Sequence, residues 1–173
     1  MTVLLAIDPG IAGRCGAACF VDGRLNQALI IKPYVRTFQD DYARAAAMGR
    51  AVAEWVLTFG RAPDRLVIEW PRIYRAGKTK ADPNDMLLLT AIGGAIAGAL
   101  FRDLPNLEIS NVAPNAWKGD LPETQTQARV IARLDEDERQ VLAEAFERTA
   151  PSARHNVSDA VGIGLDALKR FKI

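Results

Sequence analysis

The sequence predicts a single α/β domain on a five-stranded mixed sheet: a three-strand antiparallel meander plus two parallel strands, flanked by helices. Three observations carry this reading. Val3 to Ile7 is an unbroken apolar run closed by Asp8-Pro9-Gly10, the pattern of a strand buried on both faces. Asp22-Gly23 separates two strand-like segments, about Arg14 to Val21 and Arg24 to Ile31, with a two-residue hairpin signature. Leu66 to Ile68, closed by Glu69-Trp70-Pro71, repeats the first design after a helical crossover. A strand reached that way lies parallel to its partner.

The remaining elements follow in order. From Asp40 to Phe59, Ala45, Met48, Val52, Trp55 and Phe59 recur at helical spacing, with Gly60 as the expected C-cap. Arg72 to Asp82 reads as an exposed loop. Asn84 to Phe101 reads as a helix capped by Asn84 and apolar nearly all round, with Gly93, Gly94 and Gly98 giving close approach. One face would pack on the sheet; the other meets either a second subunit or neighbouring helices. Leu107 to Val112 is the fifth strand, and Asn115 to Gly119 is a turn or short helical start. Helices follow at Thr124 to Leu134, Glu136 to Arg148 and Asn156 to Lys169.

The 173 residues, 49% apolar and 25% charged, suit one globular domain with its own core. The net charge of +1 says little, but its distribution is uneven. Arg61 to Lys80 holds six basic residues against two acidic, and Gly119 to Glu147 holds eight acidic against three basic. The basic strip suits either a polyanion or a solvated loop. Trp70 and Tyr74 among Arg72, Arg75, Lys78 and Lys80 would suit distorted nucleic acid; packing them inward is the equal alternative. Cys15 and Cys19 read as buried hydrophobes, and two cysteines with a single histidine do not make a zinc site. No signal-peptide pattern opens the chain, and the uncharged stretch Met86 to Phe101 is shorter than the ~20 residues of a membrane span. A soluble, cytoplasmic protein is expected.

The candidate chemistry lies in carboxylates. If the strands ending in Asp8 and Glu69 are neighbours, about 4.8 Å apart, their charges repel unless a cation is shared or a proton retained. As the ordinary alternative, Asp8 caps the Pro-Gly turn. Asp159, near the start of the last helix, is a third acidic candidate, preferred to Asp166. His155 and Asn156, four and three residues before it, share its face or cap the helix. No phosphate-binding loop, dinucleotide fingerprint or nucleophile elbow is present.

Four segments in order resemble RuvC-type Holliday-junction resolvases of the ribonuclease-H-like superfamily, in their phage-type form. They are Ala6-Ile7-Asp8-Pro9-Gly10 with Cys15-Gly16-Ala17-Ala18, then Val67-Ile68-Glu69, then Val112-Ala113-Pro114 with Trp117-Lys118-Gly119, and finally Ser158-Asp159-Ala160-Val161-Gly162-Ile163-Gly164. The resemblance implies one RuvC-like nuclease domain over residues 1–173. It implies Asp8, Glu69 and Asp159 as metal-binding carboxylates, with His155 as fourth ligand, because Asn156 stands where the family has an acid or histidine. Lys118 would contact the phosphate, and Trp70 or Tyr74 would wedge bases. The family's second lysine is missing, leaving Arg129 or nothing in its place. Two Mg²⁺ ions, with Mn²⁺ expected to substitute, would support hydrolysis of a four-way DNA junction by a homodimer. The alternatives are a related nuclease cutting RNA–DNA hybrids or other branched DNA, a catalytically silent junction-binding protein, and an actin-like ATPase lobe.

Overall fold

The computed structural model describes residues 1–34, 39–72 and 82–171. Strands β1 (Val3–Asp8), β2 (Cys15–Val21), β3 (Arg24–Ile31), β4 (Arg65–Glu69) and β5 (Glu108–Val112) form one sheet in the order β3-β2-β1-β4-β5. β1, β2 and β3 make an antiparallel meander, β4 runs parallel to β1, and β5 runs parallel to β4. This is the mixed sheet the sequence predicts. The hairpin turns at Asp22 (φ 49°) and Gly23 (φ 80°), left-handed values that Gly adopts freely and Asp tolerates.

The helices are α1 (Asp41–Leu57), α2 (Pro83–Asp103), α3 (Pro114–Trp117), α4 (Glu123–Ala132), α5 (Glu136–Glu147) and α6 (Arg154–Ala167). Period-two alternation along the strands sorts the core into two layers. Leu5, Ile7, Leu66 and Ile68 pack with Met48 and Val52 of α1 and Ile92 and Ile96 of α2. Leu4, Ala6 and Val67 pack on the other face, with Val157, Ala160 and Val161 of α6. Continued by one step, the same alternation places Asp8 and Glu69 on the α6 face.

Glycines set how closely α6 approaches. A Cβ on Gly16 of β2 would lie 1.8 Å from the backbone oxygen of Asn156, and one on Gly164 would lie 2.1 Å from the Phe20 ring. The helix therefore rests directly on the sheet.

Two local expectations, both helix caps, are corrected. α1 closes at Thr58, whose hydroxyl donates to the Trp55 carbonyl at 2.7 Å, so Gly60 is not its cap. α2 is capped by Asp82, whose carboxylate accepts the Asn84 N–H at 2.8 Å, with Pro83 in the first turn. α2 is also not covered all round. Met86, Leu88, Ile92, Ile96 and Leu100 are buried, whereas Leu87 and Phe101 are 63% and 54% exposed, with Gly94 and Gly98 exposed as well. By length and composition alone α2 is long and apolar enough to cross a membrane. Its buried side uses that apolarity in the core against α1 and the sheet.

An ionic clamp ties the end of the chain to the hairpin. Glu138 of α5, 1% exposed, accepts two hydrogen bonds from Arg170 at 2.6 and 2.8 Å and one from the Leu25 N–H at 2.7 Å. Arg170 also donates to the carbonyls of Gly23 and Arg133. Asp135 and Glu138 complete a reciprocal capping box at the start of α5. Burial alone would raise the Glu138 pKa. The Arg170 guanidinium and the N–H groups of Leu25 and Asp135 outweigh it and hold it at about 2.

Candidate metal centre

β1 and β4 pair with Ile7 opposite Ile68, so Asp8 and Glu69, one residue further, are neighbours at the same end of the sheet. α6 brings Asp159 over them. Lys118, immediately after α3, completes the group: its Nζ donates to Asp159 Oδ2 at 2.6 Å and lies 3.6 Å from Glu69 Oε2. The Trp117 indole N–H donates to the same Glu69 Oε2 at 2.8 Å. Asp8 is 8% exposed, and the Glu69 and Asp159 side chains are each 14% exposed. Three acids and one ammonium thus share a nearly dry corner.

The electrostatics follow. Burial raises the Asp8 pKa well above the usual carboxylate range; Glu69 and Asp159 push it the same way, and Lys118 offsets only part. Burial likewise raises Glu69, against the opposing pulls of Lys118 and the Trp117 N–H. For Lys118, burial lowers the pKa, but Glu69, Asp159 and Asp8 outweigh it and keep the ammonium charged.

Asp159, rather than Asp166, is the α6 carboxylate that acts on Asp8 and Glu69. His155 lies apart from the group. Its side chain is 39% exposed, and Nδ1 sits 3.8 Å from Glu123 Oε1 of α4. Asn156 occupies the inner position instead: it is 6% exposed, and its Nδ2 would lie 3.1 Å from a Cβ built on Gly10, in the turn after Asp8. The helical phase explains this. The Asn156 backbone rests on Gly16, and His155 is turned away by about 100°. Neither residue caps α6, whose N-cap is Ala153.

The expected nucleic-acid contacts divide. The Trp70 ring packs on Gly93 of α2, and Arg72 is exposed. Tyr74, Arg75, Lys78 and Lys80 lie outside the described residues. An open cleft of about 460 Å³ beside the site is lined by Trp117, Lys118, Gly119 and Arg129. A larger groove of about 680 Å³, between β3 and α5, contains none of the three carboxylates.

Three carboxylates are the hard oxygen donors that suit a divalent cation such as Mg²⁺. Among the described residues, no three acidic, His or Cys groups already surround one ion position. The Lys118 ammonium stands between Glu69 and Asp159, a cation of the protein's own in the space an ion would share. The donor set fits a metal that displaces it.

Sheet order and helix placement give a ribonuclease-H-like fold. Comparison with solved structures agrees on the fold. Thermus thermophilus RuvC in complex with a Holliday junction substrate superposes with a TM-score of 0.65 at 20% identity, covering 98% of this chain and 94% of that one. A second T. thermophilus RuvC structure gives 0.60 at 20% identity, covering 96% and 94%. The yeast mitochondrial Holliday junction resolvase Ydc2 gives 0.64 at 13% identity, covering 96% and 78%. No protein-family profile and no curated protein matches the sequence.

Proposed function

We propose that this chain is a metal-dependent, structure-specific DNA endonuclease that resolves four-way junctions by paired symmetric nicks. The observation that carries the reading is the gathering of buried Asp8 and part-buried Glu69 at the strand ends with part-buried Asp159 of α6, beside the Lys118 ammonium. The junction substrate bound to T. thermophilus RuvC, and the resolvase name of the yeast protein, support the same substrate class here.

Asp8, Glu69 and Asp159 would hold two Mg²⁺, with Asn156 rather than His155 beside them. A divalent metal held by these carboxylates would supply Lewis-acid chemistry, lowering the pKa of an attacking water and offsetting charge on the leaving oxygen. The chain's own groups do the rest. The dry corner strengthens every charge contact within it. Asp8 and Glu69, whose pKa values burial raises, would hold the cation as carboxylates. Lys118, kept charged by the acids, turns from Asp159 to a non-bridging phosphate oxygen. Arg129, which lines the same cleft, would meet a neighbouring phosphate.

Two symmetric nicks require two sites related by a twofold axis, and hence a homodimer. The exposed stripe Leu87, Gly94, Gly98 and Phe101 of α2 is the face proposed for it, its glycines allowing a second helix to approach closely.

The test is a nicking assay on a mobile four-way junction with Mg²⁺, beside linear duplex, a three-way fork and an RNA–DNA hybrid. Paired symmetric nicks that need metal are expected. Cleavage confined to the hybrid or fork would transfer the activity to another substrate, and tight junction binding without cleavage would leave a binding protein. Asp8→Asn is expected to bind junctions and not cut them; cutting at the parent rate would remove Asp8 from the centre.

A further inference from the structure

We infer that Trp117 is a positioning residue for Glu69, its indole N–H fixing which carboxylate oxygen is presented to the cation site. The inference rests on the reading of Asp8, Glu69 and Asp159 as a metal-holding set and concerns how that set keeps its shape.

The indole N–H is a donor only, so its bond to Glu69 Oε2 at 2.8 Å cannot reverse direction. The ring behind it has little room to pivot. Trp117 is 2% exposed and meets Phe171 edge-on, centroids 5.3 Å apart. On α6 it fills the space left by Gly162, where a Cβ would lie 2.3 Å from the ring. The backbone under it is pinned at Pro114, whose carbonyl accepts the Lys118 N–H at 3.0 Å. Glu69 is thus held at both ends: its Cα by β4 and its Oε2 by a rigid donor. Among the described residues, no hydrogen-bond donor holds its other oxygen.

Lys118 shows why a second anchor is needed. Its Nζ is 3.6 Å from the same Glu69 Oε2 and 4.9 Å from the centre of the Trp117 ring. In the proposed reaction Lys118 turns to phosphate, and its hold on Glu69 is lost. The indole bond does not depend on Lys118 and keeps the carboxylate in place throughout. Trp117 thus sets Glu69 throughout, whereas its neighbour Lys118 holds Asp159 only until it turns to phosphate.

The test uses the full chain without DNA. Mn²⁺ binding, followed by electron paramagnetic resonance, is compared in the parent and Trp117→Phe, which keeps an aromatic ring and removes the N–H. A loss of affinity of about tenfold or more is expected, the range typical for partners that orient metal ligands. The chain has three tryptophans, so the ¹H–¹⁵N indole spectrum is simple. The Trp117 signal, missing in Trp117→Phe, is expected to move in Glu69→Gln and on adding Mg²⁺. Equal Mn²⁺ affinity in a folded Trp117→Phe, or an indole signal indifferent to Glu69→Gln, overturns the inference. If Trp117→Phe does not fold, Glu69→Gln decides, with Trp55→Phe and Trp70→Phe assigning the other two indole signals: a Trp117 signal that Glu69→Gln does not move overturns the inference. A parent that binds Mn²⁺ more tightly than Trp117→Phe but nicks no junction upholds this inference and removes the junction substrate. A parent that binds no Mn²⁺ overturns both.

Discussion

The Glu138–Arg170 clamp gives the most quantitative expectation. Glu138→Gln keeps the size of the side chain, removes its charge and turns an amide toward a guanidinium that needs an acceptor. A carboxyl held at about 2 rather than 4.5 is worth about 3 kcal/mol at ~1.36 kcal/mol per pKa unit. The Arg170 side chain is 29% exposed, so solvent screening trims this to about 2–3 kcal/mol. For a chain of 173 residues that is a fall in Tm of about 4–12 °C at pH 7. The sign with pH follows from the depressed pKa. The stabilisation is complete above the unfolded value of 4.5 and is lost as pH falls through about 2. Thermal melts of parent and variant between pH 7 and pH 2 should therefore converge in acid. A Tm gap unchanged across that window would refute the electrostatic account and assign the loss to packing.

Other expectations can be checked with the same melts. Asp8→Asn should stabilise the metal-free protein. The raised Asp8 pKa means that parent stability declines as pH climbs from about 4 toward neutrality, and the variant should lack part of that decline. Mg²⁺ at about 100 times its Kd should stabilise the parent by ~2.7 kcal/mol, and Asp8→Asn much less. Gly16→Ala should cost about 3 kcal/mol or more, because its methyl would meet the Asn156 carbonyl backbone, and should also abolish Mn²⁺ binding in any folded fraction. Leu87→Lys with Phe101→Glu should leave the fold intact, with both sites exposed, and should yield monomers by sedimentation; an unaltered dimer would move the interface off α2.

Asp8 and Glu69 were legible in sequence because each ends an apolar run, and period two then fixes the face it occupies. Asp159 was singled out over Asp166, which shares its face, because it lies near the helix start, within reach of the strand ends. What escaped depends on contacts between distant segments. The Trp117–Glu69 bond joins residues 48 apart, and nothing near Trp117 marks it except Gly162 on another helix, which clears room for the ring. That Asn156 faces inward while His155 is half-exposed against Glu123 was hidden for a related reason. The rotation of α6 is set by Gly16 on the strand beneath it, and the helix's own sequence does not record it. Arg170 gave no periodic signal at all. Its importance appears only once Glu138 is seen buried beside it.

The bare Cα of Gly16 has a consequence for how this domain tolerates change. The reach of Asp159 toward Asp8 is a thickness, the gap between a helix and a sheet, and hydrogen atoms set it. Any larger group at residue 16 acts as a shim, lifting the last helix and carrying its carboxylate away from its partners. An inventory of acids would score such a chain as intact, although its centre had come apart.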